Sequence, residues 1–225
     1  MNNLETLNQI LLSDNVVDNF LYNYNNNSVF RNWLQEVLPE IEDCKKQSQD
    51  HPWHIYGVLD HILHSIEAMN KQSLNMSDNI RLLLSYTMLL HDIGKPKCHI
   101  RRKKDGRWID GFFGHNIESS KIAKRFAKDI NLNQKDGEIL AKLVLDHDIF
   151  MFIKDFPTTN PHWKQLTPEL IKDKIIELNA YGNGKELLTY HVMVGRSDNL
   201  AQNPKMTGES LAMLDKFDAI ITQCK

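Results

Sequence analysis

The sequence predicts an all-α protein: a helical bundle with one short β-hairpin or ordered loop after its central helix. Three observations lead there. Apolar residues recur at helical spacing over most of the 225 residues. The prolines fall between those runs rather than inside them. Only residues 95–114 lose the helical period, and they carry Asp105-Gly106, a two-residue hairpin signal, beside Trp108, Ile109, Phe112 and Phe113.

In chain order, residues 4–45 read as two or three short helices. One stripe is Leu4, Leu7, Ile10 and Leu11; another is Phe30, Trp33, Leu34, Val37 and Leu38. Residues 23–28, NYNNNS, form a polar loop between them, and Pro39 closes the second stripe. A polar linker, 44–52, leads to a helix over 54–70 carrying Val58, Ile62, Ser65, Ile66 and Met69. The central helix spans 77–94, with Ser77 or Asp78 as N-cap and with Gly94 and Pro96 stopping it. Helices follow over 115–130 and 135–148, then a long loop over 150–166 placed to act as a lid. Thr167-Pro168 opens a helix that runs to about 179, and Gly182 and Gly184 end the connection beyond it. Helices over 185–200 and 209–221 complete the chain. The expected organisation is an N-terminal helical extension (1–48), a main domain (49–204) and a C-terminal helix (205–225) packed on it.

With 41% hydrophobic and 25% charged residues, the composition is that of an ordinary globular chain. A formal charge of −2 argues against a general polyanion-binding surface and leaves room for a local basic patch. No stretch approaches the roughly 20 apolar residues of a membrane span, and the start lacks the basic and apolar regions of a signal peptide. Cys44, Cys98 and Cys224 are odd in number and far apart, which gives no disulfide framework and points to a reducing cytoplasm.

Five of the predicted helices repeat one pattern. His61, His91, His115, His147 and Asp198 each occupy or adjoin an inward-facing helical position, and Asp92 follows His91 directly. A buried polar side chain needs a partner. One shared cation could satisfy several of these at once, and ligands from different helices of a bundle can build such a site. A mixed imidazole–carboxylate set suits a divalent Fe, Mn, Ni, Co or Zn better than Ca or Mg.

The order His61 … His91-Asp92 … Asp198 resembles the H…HD…D signature of the HD-domain metal-dependent phosphohydrolase superfamily. The segments WHIYGVLDHILHSIEAM (53–69), LLLSYTMLLHDIGKP (82–96), FFGHNIESSKIAKRF (112–126) and LAKLVLDHD (140–148) are similar to the HD region of bacterial tRNA nucleotidyltransferases and poly(A) polymerases. That resemblance covers about residues 35–200. It implies metal ligands at His61, His91, Asp92 and Asp198, and a second ion at His115 and His147 with Asp92 bridging. Only about fifty residues precede the region here, too few for a nucleotidyltransferase head, so CCA addition is not expected. The implied activity is hydrolysis of a phosphomonoester or phosphodiester of a nucleotide or a nucleic-acid end, possible RNA ends included, by a metal-activated water. Lys95, directly after the HD pair, is the first cation expected to stabilise the phosphoryl charge, so Asp92 and Lys95 form the expected catalytic pair. Arg101 and Arg102 are further candidates for substrate contact, and His54 matches a histidine often present in the family. The alternative is a non-catalytic metal-containing module that binds RNA or nucleotide through the basic loop 95–107.

Overall fold

The structure, a computed structural model, describes residues 2–224. Its elements in order are α1 (Asn3–Leu11), α2 (Val16–Asn26), α3 (Ser28–Val37), α4 (Glu40–Lys46), α5 (Val58–Gln72), α6 (Asp78–Leu90), the antiparallel pair β1 (Ile100–Lys104) and β2 (Arg107–Gly111), α7 (His115–Asp129), α8 (Gln134–Leu145), the two-residue parallel pair β3 (Ile153–Lys154) and β4 (Lys164–Gln165), α9 (Pro168–Leu178), α10 (Gly184–Leu200) and α11 (Gly208–Gln223). The protein is all-α. At its centre α5 packs between α6 and α10; α8 lies on α6, α7 on α8, and α2 and α4 on α5. One apolar core runs from Leu7 through Phe20, Ile62, Leu89, Phe126 and Val194 to Phe217. No helix among the described residues is long and apolar enough to cross a membrane.

Four helices, not two or three, occupy the N-terminal region. The asparagine tract expected as a loop is mostly helix, because its amides are satisfied inside the helix: Asn23 Nδ2 donates to the Asn19 carbonyl and Asn26 Nδ2 to the Tyr22 carbonyl, each at 2.9 Å. Only Asn27 breaks the run; its side chain accepts from Phe30 N and caps α3. The helix expected from residue 54 starts at Val58. The four residues before it belong to a loop that Val58 N pins by donating to the Gln47 carbonyl at 3.0 Å.

The central helix ends at Leu90, and His91–Lys95 form a tight turn. Gly94 has a packing role: a Cβ there would sit 2.8 Å from both the His115 carbonyl oxygen and Ser119 N, so its absence lets α7 approach the turn. Ser119 Oγ accepts from Gly94 N at 2.9 Å and fixes that approach. The hairpin forms as the Asp105-Gly106 signal predicts: both residues have positive φ, at 50° and 81°, and Lys104 pairs with Arg107. Thr167 caps α9 with Pro168 at its first position, as expected. Gly184, expected to lie in the connection, opens α10 instead; a Cβ there would collide with the Ile175 carbonyl. Residues 150–166 are not a bare loop, since they hold a single 3-10 turn and the β3–β4 pair.

Candidate metal centre

Six side chains from five separate segments converge. His61 comes from the first turns of α5, His91 and Asp92 from the turn after α6, His115 from the start of α7, His147 from the turn after α8, and Asp198 from the last turns of α10. Their ligand-capable atoms form two groups that share Asp92: His61, His91, Asp92 and Asp198, and Asp92, His115 and His147, the atoms of each lying within 4.8 Å of one another. In the first, His61 Nε2 is 2.9 Å from Asp198 Oδ1 and 3.2 Å from Asp92 Oδ2, and His91 Nε2 is 3.3 Å from Asp92 Oδ2. In the second, His115 Nε2 is 3.2 Å and His147 Nε2 3.7 Å from Asp92 Oδ1.

Backbone carbonyls fix the tautomers. The Nδ1 atoms face carbonyls: Ala201 for His61 (3.1 Å), Met88 for His91 (2.7 Å), Phe112 for His115 (2.8 Å) and Val144 for His147 (2.7 Å). A carbonyl only accepts, so each Nδ1 carries a proton and each ring turns its Nε2 inward, as a bare lone pair whenever the ring is neutral. Those Nε2 atoms face each other, His61 against His91 at 3.3 Å and His115 against His147 at 3.0 Å, with carboxylate oxygens around them. Asp92 Oδ2 has no hydrogen bond of acceptable geometry despite its close neighbours. Such a cage of acceptors is unfavourable until a positive charge enters it. The pKa directions agree. Burial pushes His61 and His91 down, but the hydrogen bonds and charges of Asp198 and Asp92 more than reverse this and bring both up to about 9. Burial likewise pushes Asp92 and Asp198 up, yet Lys95 and His91 for the former, and His61 and His91 for the latter, hold both well below the usual carboxylate range. The residues fit a divalent cation of the imidazole–carboxylate type.

Lys95 is buried at the edge of this cage, its Nζ 2.6 Å from Asp92 Oδ2 and 2.8 Å from Gln49 Oε1. The His54 ring lies 5.6 Å from that of His61. Burial and the Lys95 charge push His54 down to about 2, so it is neutral, and its Nδ1 is buried without a partner. Arg101 is not brought to the cage. Its guanidinium is engaged by Asp110 (2.8 Å) and Asp50 (3.1 Å), a clamp between the hairpin and the loop before α5. Arg102 turns toward Phe113, 5.2 Å from its ring.

Three further side chains join the cage: Asp148, which flanks His147 in sequence and was open to orienting a ligand or staying solvated, and two glutamines that the sequence reading missed. Asp148 Oδ2 lies 3.3 Å from His115 Nε2, and Asp148 Oδ1 3.5 Å from His147 Nε2, which adds a carboxylate to the second group; its place beside His147 was the one signal. Gln49, in a loop, positions Lys95. Gln202 Nε2 donates to Asp198 Oδ1 at 2.9 Å and orients it. Neither glutamine has a sequence pattern that announces it.

A family model described as HD domain matches residues 54–201, about two thirds of the chain, and its limits enclose His61, His91, Asp92, His115, His147 and Asp198. The chain belongs to the HD domain family. That places it in a superfamily of metal-dependent phosphohydrolases. The A-adding tRNA nucleotidyltransferase of Deinococcus radiodurans is 31% identical over 114 residues, which cover 51% of this chain and 25% of that protein. The chain thus matches a quarter of that relative's length, consistent with a likeness to the HD region of such enzymes.

Proposed function

We propose that this HD domain hydrolyses a phosphate ester, mono- or diester, of a nucleotide or a nucleic-acid end, using one or two divalent transition-metal ions (Fe, Mn, Ni, Co or Zn). The observation that supports this most directly is the cage itself: four imidazole Nε2 atoms and two carboxylates aimed at one another, where Lys95 and the Gln202 amide are the side-chain donors among the described residues. Such an ion, when bound, supplies the Lewis acidity that activates water at neutral pH and polarises a phosphoryl oxygen.

In this reading His61, His91, Asp92 and Asp198 hold the first ion, and Asp92, His115 and His147 the second. Lys95 meets the negative charge that builds on the phosphoryl oxygens, and Gln49 holds its ammonium in place. Asp92 Oδ2, 2.6 Å from its Nζ, is the anion that Lys95 pairs with before substrate arrives. His54 contributes a neutral ring packed against His61 at the edge of the site. Arg102 is the hairpin cation retained as a substrate contact.

The test is elemental analysis of protein purified without chelator, followed by hydrolysis of p-nitrophenyl phosphate, bis-p-nitrophenyl phosphate and a nucleotide panel in the metal found. The expected result is at least one bound transition metal per chain and turnover that disappears in Asp92→Ala. A protein that takes up no metal and turns over none of these substrates refutes the reading.

A further inference from the structure

The hairpin β1–β2 holds an unusual concentration of charge. Residues 101–107, RRKKDGR, carry five cations and one anion in a chain whose formal net charge is −2. Two of the five are already engaged, Arg101 by Asp110 and Asp50, and Arg107 by Asp50. Arg102, Lys103 and Lys104 make no ion pair among the described residues, and the buried Nε of Arg102 has no acceptor at all. Side chains two apart on a strand share a face, so Arg102 and Lys104 point the same way, about 7 Å apart along the strand.

The hairpin adjoins the cage: Lys95 Nζ lies 5.5 Å from the Phe112 ring, and the next residue, Phe113, has its ring 5.2 Å from the Arg102 guanidinium. Lys104, Arg102, Lys95 and Arg107 all act on His51, adding to burial in holding its pKa down. The His51 ring is 6.0 Å from that of His54, which in turn adjoins His61. One phosphate at the cage would engage Lys95 alone, and the unpaired cations of the hairpin lie beyond it. Exposed aromatics accompany them. Phe113, 67% exposed, lies against Arg102, and Trp108, 57% exposed, sits directly across from Lys103. Unpaired cations at strand spacing beside exposed aromatic faces suit a ligand that alternates phosphates with flat bases.

We propose that the β1–β2 hairpin is a binding site for single-stranded polynucleotide, gripping backbone phosphates with Arg102 and Lys104 on their shared face and stacking a base on Phe113 beside them, so that the strand's end enters the His/Asp cage. This names the substrate class of the phosphohydrolase reading and rests on that reading for the reaction alone, since binding is read separately.

Fluorescence anisotropy on the full chain as purified, at 4 °C and with Asp92→Ala protein in parallel, tests it with 12-mer oligouridylate and oligodeoxythymidylate. Both proteins should bind, and binding should weaken with salt. Arg102→Gln/Lys104→Gln should bind at least about tenfold more weakly at low salt and lose about 1.4 from the slope of log K against log salt, about 0.7 per phosphate contact. Phe113→Ala should weaken binding about fivefold or more with that slope unchanged, as lost stacking requires. A preference between the two oligomers assigns RNA or DNA. No oligonucleotide binding by the wild type, unchanged affinity in the Arg102/Lys104 variant, or inorganic polyphosphate competing equally while Phe113→Ala is neutral would overturn the proposal. So would binding to phosphatidylserine vesicles in place of oligonucleotide. Oligonucleotide binding without hydrolysis of any ester defeats only the enzyme reading; turnover of mononucleotides without oligonucleotide binding defeats only this one.

Discussion

The two groups that share Asp92 are built differently. His61, His91 and Asp198 come from the middle of the bundle, where α5, α6 and α10 pack together, and both imidazoles are fully buried. His147 is as buried as they are, but its partner His115, at the start of α7, and the neighbouring Asp148 are 12% and 23% exposed. The difference teaches that one pair of Nε2 atoms is closed off from solvent, whereas the other opens to it through His115 and Asp148. The inner group should therefore retain its ion more tightly and the outer group exchange it.

Asp92→Ala removes the one carboxylate common to both, so it should empty both groups and lower turnover by at least about 10³-fold, the upper range for losing a group that stabilises the transition state. Metal analysis and steady-state kinetics on the same preparation check this. His61→Ala and His115→Ala should then separate the groups: the first strips the inner ion, and the second leaves one ion per chain. Equal metal loss in the two variants would show a single shared ion instead. Asp148→Asn should weaken only the outer ion, by about 10- to 100-fold, the usual cost of disturbing a supporting carboxylate; calorimetric metal titration reads it.

The inner group also predicts a pH dependence. Without metal, the folded pKa values of His61 and His91 lie near 9, above their ordinary 6.5. A raised pKa means that the folded state holds protons the unfolded chain has released. This stabilisation is complete below about pH 6.5 and is lost as pH rises through about 9. The thermal midpoint of chelator-treated protein should fall across that window, and metal should bind more tightly over the same window as it displaces those protons. Smallest in effect, Gly94→Ala should cost about 1–3 kcal/mol by forcing α7 away from the HD turn. Thermal denaturation measures that cost, and metal loss confined to the outer group would show that α7 carries it.

Much of this arrangement was legible early. The helical period placed His61, His91 and His147 on inward faces, and the structure buries all three. The Asp105-Gly106 pair announced its hairpin because a two-residue turn with both φ positive demands such residues. The asparagine tract misled because polarity suggested a loop, while amide-to-carbonyl bonds within the helix satisfied it. Arg101 looked like Arg102 in sequence; only the positions of Asp50 and Asp110 turned one into a clamp and left the other unpaired.

The sequence by itself determined the helical class, the hairpin and the set of residue types able to hold a cation, because period and turn chemistry are local. Which nitrogen of each histidine faces inward was decided by the tertiary structure. The carbonyl that fixes His61 belongs to Ala201, 140 residues away. A contact of that span exists only once α5 and α10 have packed, since the forces that bring them together are non-directional apolar burial and the hydrogen bond follows from it.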